Sequence, residues 1–146
     1  MSTVVAERLA ARESFRISVP NGLSAPKIAR DMVAYLLVLT GHSIAADTAR
    51  ILVSEVVTNV HDHTTTLIIH IDVSVAPAHV SVAVWDNKPH MRPRLRNAGN
   101  EDEQGRGLRL VEKLSSAWGV TWPHDSDHLR KRVWFALDER RIEVAA

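Results

Sequence analysis

The sequence predicts an α/β fold, a two-layer sandwich in which a mixed, mostly antiparallel sheet carries helices on one face. Three observations lead to it. Apolar and polar residues alternate with period two in four separate stretches, the mark of strands with one buried face. Two stretches of helical period follow one another between the first and second of these strands, and a third precedes the last. Turn residues, such as Pro20-Asn21-Gly22 and Ala76-Pro77-Ala78, punctuate the boundaries. Strands, helices, hairpin, helix and strands in this order fit one layer of each kind.

Length and composition agree with a single domain. The chain has 146 residues, 45% apolar and 24% charged, with a net charge of +1, ordinary values for one globular unit. We expect residues 14–138 to form it, with a flexible N-terminus over 1–13 and a C-terminal tail over 139–146. A charge so near zero argues against direct binding to nucleic acid or an anionic membrane. The short basic run Arg130-Lys131-Arg132 is expected to be a solvated strand end. Cysteine is absent, which excludes a disulfide framework and a thiolate metal site. No stretch approaches the roughly 20 apolar residues of a membrane span, and charges interrupt the apolar run at the N-terminus, unlike a secretory signal. A cytoplasmic location is the expectation.

Along the chain, Phe15, Ile17 and Val19 alternate with Ser14, Arg16 and Ser18 in a first strand. Ser24 can cap the next helix, with Pro26 in its first turn; Ile28, Met32, Tyr35, Leu36 and Leu39 form its apolar stripe, and Gly41 ends it. Ser43 is the expected cap of a second helix, with Asp47 near the positive end of its dipole. Leu67 to Val75 and His79 to Asp86 read as an antiparallel hairpin. Residues 87–104 lack an apolar period and form a long loop, of the kind that carries function. A helix opening at Gly105-Arg106-Gly107 turns Leu108, Leu110, Val111 and Leu114 inward and closes near Trp118-Gly119, before strands at 120–122 and 131–137.

The segment Ile51 to Thr64 is the one on which the chemistry turns. Ile51, Leu52, Val53, Val56, Val57 and Val60 make it largely buried, yet Glu55 and Asn59 stand four residues apart on one face. A carboxylate on such a helix has to be paired, solvated in a cleft, or used. A solvated side of a core helix would explain it by itself. Two further features converge on a nucleotide site: Asp86 at a strand end, and Gly105 and Gly107 where a helix starts. Backbone N–H groups at a helix start bind phosphate, and glycines admit close approach. The Asn59 carboxamide is a hard ligand suited to Mg²⁺. Glu55 can orient and deprotonate a hydroxyl or water, while Asp86 can accept the exocyclic amine of adenine. Taken alone, the glycine pair is no more than a tight turn.

These segments, E-V-V-T-N with H-D-H-T, V-A-V-W-D, G-R-G-L-R-L-V-E-K-L and V-W-F-A-L, resemble the GHKL ATPases with the Bergerat ATP-binding fold. Among them the chain is similar to the stand-alone anti-sigma factor serine kinases and related actinobacterial regulatory ATP-binding proteins, over Ser14 to Leu137. The resemblance implies ATP and Mg²⁺ as cofactors. It implies Glu55 as general base, Asn59 as metal ligand, Asp86 as adenine reader, and Gly105, Arg106 and Gly107 at the phosphates beneath a lid formed by about residues 87–104. Arg92, Arg94 and Arg106 are available to meet the phosphates, and His63 is expected to pack or hydrogen-bond. The implied partners are a sigma factor and a small antagonist protein that would be phosphorylated; a homodimer is compatible. Where the wider family has glycines after the aspartate, this chain has Asn87-Lys88-Pro89-His90, and Thr64 and Arg130 also replace smaller residues.

A second reading is a non-catalytic ATP-binding module that sequesters a partner. Zinc is disfavoured, since His61 and His63 diverge by roughly 200° on a helix. Trp118, Trp122 and Trp134 are expected in the core and strands, as no basic groove accompanies them.

Overall fold

The computed structural model describes residues 12–87, 103–122 and 130–145. In order they form β1 (Glu13–Pro20), α1 (Ala25–Leu39), α2 (Ser43–His63), β2 (Ile68–Ala76), β3 (His79–Asp86), α3 (Glu103–Leu114), β4 (Ala117–Thr121), β5 (Lys131–Asp138) and α4 (Glu139–Ala145). The strands make a five-stranded sheet in the order β1-β2-β3-β5-β4. All four pairings are antiparallel. The two-layer α/β class stands, and the sheet is antiparallel throughout the described strands, with no parallel pair.

Alternation decides which face is buried. Ile69, Ile71, Val73 and Val75 of β2, Val80, Val82 and Val84 of β3, and Val133, Phe135 and Leu137 of β5 enter one core with the helices. The opposite face carries Arg16, Asp72, Ser74, Ser81, Arg132 and Trp134. Leu67, expected within the second strand, lies just before it and is 85% exposed.

The stripe that α1 buries differs from the expected one. Ile28, Met32, Tyr35 and Leu39 are exposed, Tyr35 by 66%, whereas Ala25, Ala29, Val33 and Leu37 are buried. Only Leu36 of the expected stripe packs partly against the core. Small side chains are selected because α1 lies chiefly on α2, which presents its own Ala45, Ala46 and Ala49. Alanines on both sides let two helices approach closely, and larger residues would hold them apart. α1 ends as expected at Gly41, whose φ is 85°; the Gly41 N–H donates to the Val38 carbonyl and the His42 N–H to the Leu37 carbonyl, at 3.2 and 2.7 Å. This double closure requires a left-handed residue, which glycine supplies without a Cβ clash.

Neither expected cap is made by its own side chain. Ser24 occupies the N-cap of α1 but forms no side-chain cap bond, and the N-cap of α2 is His42, with Ser43 already helical. The start of α2 is capped instead from the other end of the chain. Buried Glu139 accepts the Ala45 N–H through Oε2 at 3.3 Å and bonds His42 Nδ1 through Oε1. A carboxylate at this end also meets the positive pole of the helix. Glu139 opens α4, so residues 139–145, expected as a tail, are helical.

α3 starts at Glu103, two residues before the glycine pair, and ends at Leu114. Trp118 and Gly119, expected to close the helix, lie in β4. A Cβ at Gly119 would stand 3.1 Å from the Trp134 indole, so the lack of a side chain there is what allows that ring to lie across β4.

Candidate functional site

α2 carries the residues on which the chemistry would depend. Leu52, Val53, Val56, Val57 and Val60 are buried, and they hold the helix against its neighbours. Glu55 and Asn59 are both half-buried, one turn apart on the opposite side. Ile51, expected among the buried residues, is 45% exposed; at i, i+4 and i+8 it shares the face of Glu55 and Asn59.

The end of α2 is tied to the end of β3 by polar side chains. Thr64 Oγ1 lies 2.8 Å from the Val60 carbonyl oxygen and 2.8 Å from Thr66 Oγ1. The buried Thr66 hydroxyl donates to Asn87 Oδ1 at 2.9 Å and accepts the Asn87 N–H at 3.1 Å. Asn21 donates to the Thr66 carbonyl at 2.7 Å, and His61 Nδ1 lies 2.8 Å from Asn21 Oδ1. A carboxamide oxygen accepts only, so that ring nitrogen carries the proton. Asn87 directly follows Asp86. The strand end and the C-terminal turn of α2 are therefore held together, which brings the elements bearing Asn59 and Asp86 to one end of the sandwich.

Asp86 is buried, 5% exposed, and its Oδ1 accepts a hydrogen bond from Lys131 Nζ at 3.0 Å. The two residues are direct partners across β3 and β5. This overturns the reading of Lys131 as part of a solvated strand end: the residue is 3% exposed. The rows Val80-Val82-Val84 and Leu137-Phe135-Val133, extended by two residues, end on Asp86 and Lys131. That extrapolation needs nothing beyond alternation. Removing one partner of such a buried pair costs about 3–5 kcal/mol, because the other charge stays buried and loses this bond.

The remaining expected residues are placed less completely. The backbone of Gly105, Arg106 and Gly107 lies inside the first turns of α3, which packs on α2 and buries Val111. The lid arginines Arg92 and Arg94, with residues 88–102, lie outside the described residues. His63 is half-buried at the end of α2.

The half-buried Asn59 carboxamide is a donor of the type a divalent cation takes alongside phosphate oxygens. Among the described residues no group of three or more His, Asp or Glu side chains could hold a metal by itself. Mg²⁺ typically takes few protein oxygens and completes its shell with phosphate and water, which a single carboxamide at Asn59 would suit.

The sheet face opposite the helices is a separate region. Arg16 grips Asp72 with two bonds of 2.7 and 3.0 Å, and the Trp85 indole donates to the same carboxylate at 2.8 Å. The Arg132 guanidinium stands 5.4 Å from the Trp85 ring centre and donates to Thr121 at 2.6 Å. Alternation alone puts Arg16 and Asp72 on this face; that they pair depends on the β1–β2 register.

An open antiparallel sheet with its helices on one face is the architecture of a GHKL-type ATPase domain. The chain belongs to the family of histidine kinase-like ATPase domains, which it matches over residues 25–135. It is similar in fold to the crystal structure of the RsbU and RsbW domains of Rv1364c from Mycobacterium tuberculosis, with a TM-score of 0.61 and 15% identity. The likeness covers 86% of this chain and 32% of that one, so the present chain spans about a third of its length. No curated protein matches the chain.

Proposed function

We propose that the protein binds ATP with Mg²⁺ and transfers the terminal phosphate to a serine or threonine of a small regulatory protein, in the manner of an anti-sigma factor kinase. The observation that supports it is the pairing of Glu55 and Asn59 on the less buried face of an otherwise apolar helix, whose end is tied to the strand bearing Asp86. Asn59 would hold the cation, which supplies charge neutralisation at the phosphates when bound. Glu55, one turn away, would take the proton of the attacking hydroxyl. Asp86 would accept the adenine amine, and the glycines at the start of α3 would leave room for phosphates at a helix N-terminus. The likeness in fold to a protein with an RsbW domain supports a sigma factor and its antagonist as partners. A cytoplasmic setting suits such partners; no described helix is long and apolar enough to cross a membrane.

The test is Glu55→Ala in two assays. ATP affinity by calorimetry should stay nearly unchanged, while phosphate transfer to candidate antagonist proteins falls about 10²–10⁴-fold. Wild-type protein that binds ATP yet phosphorylates none of them would favour the sequestering module instead. Glu55→Ala that transfers phosphate at the wild-type rate would overturn Glu55 as the base and leave the transfer itself to another group.

A further inference from the structure

We infer that Lys131 is the positioning residue of the nucleobase subsite: it holds the Asp86 carboxylate aimed, so that Asp86 can read the 6-amino group of adenine. The inference rests on the ATP-binding reading above. Both side chains are 4% exposed, and the Nζ to Oδ1 distance is 3.0 Å. They close two adjacent rows of core side chains, on the helix-facing side of β3 and β5. An apolar pair at these two positions would continue the core without desolvating any charge. What a lysine and an aspartate supply there, and an apolar pair cannot, is a fixed acceptor at a buried position.

The chemistry follows from the two oxygens of a carboxylate. An amine hydrogen of adenine needs an acceptor. Lys131 Nζ donates to Oδ1 and holds the carboxylate in one orientation, and a carboxylate keeps further acceptor lone pairs beside one such bond. The direct cross-strand register fixes the direction of approach, since a β-pair sets the two Cα atoms and leaves the long lysine stem to reach along the row. Lys131 therefore acts through Asp86 and touches no reacting atom.

The experiment compares ligands that differ only in what Asp86 would read. Wild-type protein, Lys131→Met, Lys131→Arg and the double variant Asp86→Asn with Lys131→Met are titrated with Mg-ATP, with the triphosphate of purine riboside, which lacks the 6-amino group, and with inorganic tripolyphosphate. Lys131→Met should weaken ATP about ten- to a hundredfold, the size of one hydrogen bond to a charged acceptor. It should leave the other two ligands within about twofold, and Lys131→Arg should recover most of the ATP affinity. The double variant, which removes both members of the buried pair, keeps the test open should Lys131→Met fail to fold; its expected result is equal affinity for ATP and the 6-deamino nucleotide. Equal loss for all three ligands would show that Lys131 only supports the fold and would overturn the inference. Wild-type protein that binds ATP and the 6-deamino nucleotide equally would overturn the adenine reading of Asp86 beneath it, and wild-type protein that binds none of the three would overturn the nucleotide reading itself.

Discussion

Asp72 is pulled in two directions. Burial raises its carboxyl, but hydrogen bonds from Arg16 and Trp85 and the Arg16 charge outweigh it and leave the group below its ordinary value of 3.8. A depressed carboxyl means that the folded protein binds fewer protons than the unfolded chain. Its stabilising contribution is therefore complete above about pH 4 and is lost as the pH falls through the native value. His70 is lowered by burial first and then by the charges of Arg16 and Arg130, so its effect falls in a separate window, below its ordinary 6.5. Asp72→Asn should flatten the acid limb of stability against pH and, because the Asp72 charge raises His70, should lower His70 further and steepen the limb that belongs to it. Denaturant melts at a series of pH values will show it, and an unaltered acid limb would mean the Arg16–Asp72 pair contributes nothing in solution.

Elements differ in how far they can be read from the chain. β1, β2, β3 and β5 are legible because each alternates with one apolar face, and a half-buried strand leaves no other solution. The face of α1 is not. It has two apolar stripes, one of large side chains and one mostly of alanines, and the sequence does not say that its neighbour offers alanines in return. A pair of substitutions separates the stripes. Ala29→Leu, at a fully buried position, should overpack the α1–α2 contact and cost about 1–3 kcal/mol. Met32→Gln, on the exposed stripe, should stay within about 0.5 kcal/mol. Denaturant midpoints of the two variants measure the difference. At the site, Glu55, Asn59 and Asp86 are legible as positions on a helix and at a strand end. Lys131 against Asp86 and Thr66 against Asn87 escape a reading of the sequence, because each pair joins segments far apart along it, and only the strand register or the path of a loop brings them together.

For the molecule as a whole, α2 is the member on which the rest bears. It has 21 residues, about 30 Å at 1.5 Å per residue, and side chains from elsewhere grip both of its ends. Glu139 and His42 hold the start; Thr66, reaching Asn87, holds the finish. Glu139→Ala should lower stability by about 1–2 kcal/mol through the lost cap alone, with a further cost from stranding His42, read as a fall in melting temperature. A beam clamped at both supports cannot roll about its long axis. Turning α2 by a single residue would swing Glu55 through about 100° and would tear both clamps open at once. The angular setting of the Glu55–Asn59 face is thus decided outside α2. A disturbance at residue 139 would arrive at Asn59, about 21 Å away along the axis from Ala45, as torsion rather than as a local loosening.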